Sequence, residues 1–161
     1  ELSVPAGTDG ALFETLLAEY NADYAAHCRI ETAPYPGVDA LLRQLHAQGR
    51  KLAIVSNKPD EAVRALRAEF FADTVPIAVG EKTGIRRKPA PDTLLAAMAQ
   101  LGAERTSTVY VGDSEVDIAT ARAAGLPCIS VLWGFRDRDV LEQAGAQQFA
   151  ADTGELAKLL D

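Results

Sequence analysis

The sequence predicts an α/β fold, a Rossmann-like doubly wound parallel sheet, on three observations. Short apolar runs recur along the chain at Lys51–Ser56, Val75–Gly80, Ser107–Gly112 and Pro127–Trp133. Stretches with apolar residues at helical spacing separate them. Gly or Pro punctuates most changes from one pattern to the other. Strands that alternate with helices in this way need crossover connections, which gives parallel βαβ units with helices packed on the sheet faces.

Each element follows from its residues. From Asp9 to about Cys28, Leu12, Phe13, Leu16, Leu17, Tyr20, Tyr24 and Ala25 recur at helical spacing, with Thr8 or Asp9 as the cap, so a long amphipathic helix is expected. The Pro- and Gly-rich "APYPGV" is a connector and the one organisational break. A helix over Val38–Gln48 carries Val38, Leu41, Leu42 and Leu45 on one face and stops at Gly49. "KLAIVS" is a buried strand, and "NKPDEAVRALRAEF" a helix with Pro59 in its first turn. "VPIAVG" is a strand, "EKTGIRRKPAP" a loop, and Asp92–Leu101 a helix. "STVYVG" is a strand, followed by the helix "EVDIATARAAG" ending at Gly125. "PCISVLW", "DRDVLEQAG", "QQFA" and a helix from Thr153 complete the alternation.

Composition bounds the function. The 161 residues suffice for one well-packed domain, and 48% hydrophobic with 24% charged residues is the balance of a folded globular protein. A net charge of -7 argues against nucleic acid or an anionic membrane as partner, so any anionic ligand must be held by a local pocket. Cys28 and Cys128 form no metal-type spacing and are expected to be reduced thiols, which points to the cytoplasm. No run approaches the ~18 apolar residues of a membrane span. The chain begins with Glu1, so a processed, trimmed or missing start is expected.

In an open α/β sheet ligands bind beyond the carboxyl ends of the strands. Three strand ends stand out. Ser56 and Asn57 lead into a helix, where they suit either an N-cap or an anion such as phosphate. Arg86, Arg87 and Lys88 gather three cations before two stiffening prolines, which fits a solvated basic loop or a fixed ammonium for a phosphoryl group. Asp113 follows its strand directly and Asp117 lies one helical turn on. Asp113 suits a cap and Asp117 the helix dipole, but the pair also suits Mg²⁺, a hard cation that takes one or two carboxylates plus water and substrate phosphate. His27 and His46 read as surface residues without partners, Trp133 as packing at the crevice rim, and "RDRD" as the solvated start of a helix.

Together, "PYPGVDALLRQLHAQGRKLAIVSNKP", "RKPAPDTLLAAM" and "VGDSEVDIATARAAG" resemble motifs two, three and four of the haloacid dehalogenase-like phosphohydrolases, in that order. They are most similar to the phosphoglycolate phosphatase group, and the resemblance covers nearly the whole chain. It implies a Mg²⁺-dependent phosphatase that hydrolyses a small phosphorylated metabolite, phosphoglycolate-like, through a phospho-aspartate. By the same resemblance Ser56 binds phosphate with Asn57 beside it, and Lys88 steadies nucleophile and phosphate. Asp113 is then a ligand of Mg²⁺, and Asp117 acts through the metal's water shell. Residues 1–32 are then the last part of a helical cap, and 33–161 the α/β core.

One departure qualifies the resemblance. The family's first motif, DxDGT at the end of the first strand, supplies the aspartate nucleophile and the general acid/base, and no such sequence occurs here. "TDGALFE" offers Asp9-Gly10, but Gly7 stands two positions before Asp9 and no apolar strand precedes it. The expectation is a core without its first, central strand, with a gap that a partner chain or an N-terminal segment fills. The chain alone is then expected to be inactive. The alternative is a non-catalytic binding or interaction module of the same family.

Overall fold

The computed structural model describes residues 4, 5, 7–27 and 30–161. The expectations on Glu1 and Cys28 lie outside the described residues. Two compact units are present, Glu1–Ala33 and Pro34–Asp161.

The first unit is built on α1 (Gly10–His27). Asp9 is the helix-start residue, its Oδ1 accepting from the N–H groups of Ala11 at 3.0 Å and Leu12 at 3.3 Å. The expected amphipathic face is not found: Leu12, Leu16, Leu17 and Tyr20 are all exposed. Tyr20 stacks on Tyr24, one turn on, with ring centroids 5.9 Å apart. His27 is not without a partner either, because its Nδ1 lies 2.9 Å from Asp23 Oδ1.

The second unit runs α2 (Val38–Ala47), β1 (Ala53–Pro59), α3 (Asp60–Phe70), β2 (Ile77–Glu81) and α4 (Asp92–Leu101). It continues with β3 (Tyr110–Gly112), α5 (Glu115–Ala124), β4 (Cys128–Val131), α6 (Arg138–Gln143), β5 (Gln148–Ala150) and α7 (Thr153–Leu160). Every strand pair is parallel, as the alternation of patterns predicts. The strands fall into two sheets, ordered β1-β2 and β3-β4-β5, and among the described residues no ladder joins β1 to β3.

Two apolar clusters cover the larger sheet. Leu41 and Leu45 of α2 and Leu156 of α7 pack on Ile129, Val131 and Ala150, with Trp133 partly buried against them. Leu94 and Met98 of α4 pack with Tyr110, Ala121, Ala124 and Leu126, joined by Val55 and Cys128. Neighbouring strand residues point to opposite faces. Ile129 lies in one cluster and Cys128 in the other, so the two clusters occupy opposite faces. No helix among the described residues is long and apolar enough to cross a membrane.

Two boundaries differ from expectation in ways that matter for the site. β1 runs on through Ser56 and Asn57 to Pro59, and α3 starts only at Asp60, with Pro59 (φ -49°, ψ 138°) as its N-cap and no side-chain cap bond. Proline pushes its predecessor out of the helical region, which keeps Lys58 extended. Neither Ser56 nor Asn57 is therefore a helix cap. β3 is shorter than "STVYVG" because Ser107 and Thr108 hydroxyls donate back to the Glu104 carbonyl, at 3.3 and 2.6 Å, and hold a 3₁₀ turn over Arg105–Ser107.

Candidate active site

The carboxyl end of β1, the loop after β2 and the carboxyl end of β3 deliver the polar residues. Asn57, at the end of β1, meets the backbone of Lys88 in the loop. The Lys88 N–H donates to Asn57 Oδ1 at 2.7 Å, and Asn57 Nδ2 donates to the Lys88 carbonyl at 3.0 Å. The Lys88 side chain then crosses towards β3. Its Nζ donates to Asp117 Oδ1 at 2.7 Å and to the Tyr110 hydroxyl at 3.3 Å. Its neighbours Arg86 and Arg87 stay outside, Arg86 being held in a two-bond pair with Asp92 at 2.9 and 3.0 Å. Of the three clustered cations, only Lys88 enters the site.

Asp117 is the hub. Tyr110 donates to its Oδ1 at 3.0 Å, while Ser114 Oγ and the Asp113 N–H donate to its Oδ2 at 2.6 and 3.2 Å. Gly112 makes the space, since a Cβ there would lie 2.3 Å from the Cβ of Asp117. Burial by itself would raise the Asp117 carboxyl. The Lys88 charge and the hydrogen bonds from Lys88, Ser114 and Tyr110 outweigh it, and the net direction is down from 3.8. Tyr110 is pushed up, by burial first and then by the Asp117 charge, so its phenol stays protonated and donating.

Asp113 is placed differently. The cap of α5 is Ser114, whose side chain accepts from the Asp117 N–H, so the capping role open to Asp113 in the sequence is already filled. Asp113 Oδ2 accepts from the Phe135 N–H at 2.9 Å. That contact depends on Gly134, where a Cβ would fall 2.2 Å from Asp113 Cβ. The loop after β4 is tied down again by Arg136, which bonds Glu115 twice at 2.7 Å and, through that hydrogen bond first, lowers the Glu115 carboxyl to about 2.

Ser56 lies on β1, its Oγ accepting from the Lys58 N–H at 3.1 Å and its O–H hydrogen remaining able to donate. The structure thus joins Asn57, Lys88, Asp117 and Asp113 in one chain of hydrogen bonds, while the Ser56 side chain bonds the Lys58 N–H beside them. No group of three or more His, Cys, Asp or Glu gathers among the described residues. The donor chemistry still fits Mg²⁺ in part. Asp113 offers a half-buried carboxylate at a strand end with one oxygen on a backbone N–H, whereas both oxygens of Asp117 are engaged. Asp113 is the residue here that would hold a hard divalent ion, which would supply positive charge and complete its shell with water and other oxygens.

Sequence reasoning missed Tyr110, Ser114, Arg136 and the two glycines. A signal existed for Ser114, because Ser followed three residues later by an acid marks a helix start. The other partnerships cross the fold and leave no local pattern.

The model of the haloacid dehalogenase-like hydrolases matches residues 5–131. The chain belongs to this family. Among haloacid dehalogenase-like relatives, it is 36% identical over 153 residues to a phosphoglycolate phosphatase of Rhodospirillum rubrum, covering 94% of this chain and 63% of that one. It is 36% identical over 129 residues to a phosphoglycolate phosphatase of Xanthomonas campestris, covering 80% and 58% respectively. The chain thus spans about three fifths of these relatives. A crystal structure from Lactobacillus delbrueckii subsp. bulgaricus superposes with a TM-score of 0.89 at 41% identity, over 98% of this chain and 66% of that one. A hydrolase from Pseudomonas syringae superposes with a TM-score of 0.77 at 27% identity, over 97% and 75%.

Proposed function

We propose that this chain is the larger part of a Mg²⁺-dependent phosphatase acting on a small phosphomonoester of the phosphoglycolate class. The observation that carries the reading is the Lys88–Asp117 pair beyond the strand ends, largely buried and fixed by Tyr110 and Ser114. Asp117 and Tyr110 take two of the three N–H donors of Lys88, which leaves one for a phosphoryl oxygen or a nucleophilic carboxylate. Ser56 donates to the same phosphate through its hydroxyl. A Mg²⁺ ion at Asp113, with Asp117 behind its water shell, supplies positive charge against the phosphoryl group.

The reaction needs an aspartate nucleophile, which attacks phosphorus and forms a phospho-aspartate, and an acid that protonates the departing oxygen. In this reading both carboxylates arrive on a further parallel strand between β1 and β3, from an N-terminal segment or a partner chain. α1 belongs to a helical cap that selects the substrate, and the setting is the cytoplasm. Phosphoglycolate is favoured because several curated relatives carry that activity in their names.

The test is phosphate release from phosphoglycolate and a panel of small phosphomonoesters, by the full-length protein and by the 161 residues alone. The full-length protein is expected to turn over with Mg²⁺ and to stop with a chelator, and the 161 residues are expected to be inactive. A full-length protein that releases no phosphate from any of them would overturn the phosphatase in favour of a non-catalytic module.

A further inference from the structure

We infer that Asn57 is a positioning residue for Lys88 and not a ligand of the substrate phosphate; the inference rests on the phosphatase reading above. A carboxamide offers one oxygen acceptor and two N–H donors. Asn57 spends its oxygen on the Lys88 N–H and one N–H on the Lys88 carbonyl, at 2.7 and 3.0 Å. The two bonds run in opposite directions between one side chain and one residue, as a strand partner would bond it. They tie together residues 31 apart in the chain.

The remaining contacts of the loop show why the clasp matters. Lys82 bridges to Ile85, Ala90 N–H donates to the Arg87 carbonyl at 3.0 Å, and Arg86 pairs with Asp92. These bonds stay within the loop or reach the start of α4. Among the described residues, the Asn57 side chain is what fastens the Lys88 backbone to β1, through these two hydrogen bonds. The ammonium is fastened separately, to Asp117 and Tyr110 of the β3–α5 segment. Lys88 is therefore held at both ends of its side chain, the backbone by β1 of one sheet and the ammonium by Tyr110 of β3, in the other sheet, and Asp117 of the α5 helix that follows it. Released at the backbone end, the ammonium still meets Asp117, but its remaining N–H no longer has a fixed direction.

A double-mutant cycle in the full-length protein separates the two roles. Asn57→Ala is expected to lower kcat about 10- to 100-fold, the scale of a misplaced catalytic group. In a Lys88→Ala background the same change is expected to cost less than about 2-fold, in kcat and in inhibition by inorganic phosphate alike. An equal loss of phosphate inhibition in both backgrounds would mean that Asn57 touches phosphate, and would overturn the inference. Amide exchange supplies a readout independent of turnover and of variant folding. The Lys88 amide of the wild-type protein should exchange at least about 10-fold more slowly than an open loop amide. Exchange at the unprotected rate would remove the clasp outright. If the wild-type protein releases no phosphate the phosphatase reading fails, and the exchange measurement still decides the clasp.

Discussion

Asp113 and Asp117 stand one helical turn apart in the same motif and occupy opposite surroundings. The Asp117 corner is closed: its side chain is 7% exposed, both oxygens are bonded, and a lysine ammonium lies 2.7 Å away. The Asp113 rim is open, with a half-buried carboxylate that meets one backbone N–H from a neighbouring loop. The difference teaches that a pair of acids need not be a pair in function. The inner acid fixes the lysine and the turn, and the outer acid is the one that the proposed function assigns to a ligand.

The sharpest way to break that contrast is Asp117→Ala in the intact protein, which strands the Lys88 ammonium in a nearly closed pocket. Removing one partner of a buried pair costs about 3–5 kcal/mol, so denaturant unfolding should show a loss of that size together with lost turnover. If stability is unchanged, the corner is not structural. Asp113→Asn should do the reverse, lowering turnover about 10²- to 10³-fold, on the scale of removing one electrostatic stabiliser, with stability held within about 0.5 kcal/mol.

Gly112→Ala tests the packing of the corner. Its Cβ would collide with Asp117, and overpacking of this kind costs about 1–3 kcal/mol, readable as a lower unfolding midpoint. Tyr110→Phe removes one hydroxyl from the network and should cost about 1 kcal/mol, with kcat changed more than KM. Equal effects on substrate binding would place Tyr110 at the rim instead.

An effect confined to alkaline pH concerns the face behind the corner. Burial, then the Asp117 charge, pushes the Cys128 thiol from 9.0 up to about 11. A folded-state value above the unfolded one means stability that is complete below pH 9 and lost as pH rises towards 11. Cys128→Ala should flatten that part of the stability profile, and a profile unchanged by the substitution would show the thiol to be unburdened.

Much of the fold was legible because it rests on local patterns. The α4 limits, Asp92–Leu101, and the stop of α5 at Gly125 follow from apolar spacing and a left-handed glycine (φ 71°). The extension of β1 to Pro59 had a local cause in the proline, but the pairing of Pro59 with Glu81 of β2 that completes it is a long-range contact with no local pattern. Lys88 was distinguishable from Arg86 and Arg87 only through the family resemblance. Its burial beside Asp117 is a long-range fact, as is the Arg86 pairing that takes a rival cation out of the site. Ser114 displaced Asp113 as the cap because two good capping residues adjoin, and propensity alone does not choose between neighbours.

The division of the strands into two sheets also affects how the chain behaves in a tube. Among the described residues β1 and β3 each have a single strand neighbour, so each presents a row of backbone donors and acceptors along its other edge. Such edges are templates for pairing with any extended chain, including another copy. Produced alone, these 161 residues should associate increasingly with concentration. Supplying the adjoining strand, in one chain or as a second one, should return them to a single sedimenting species.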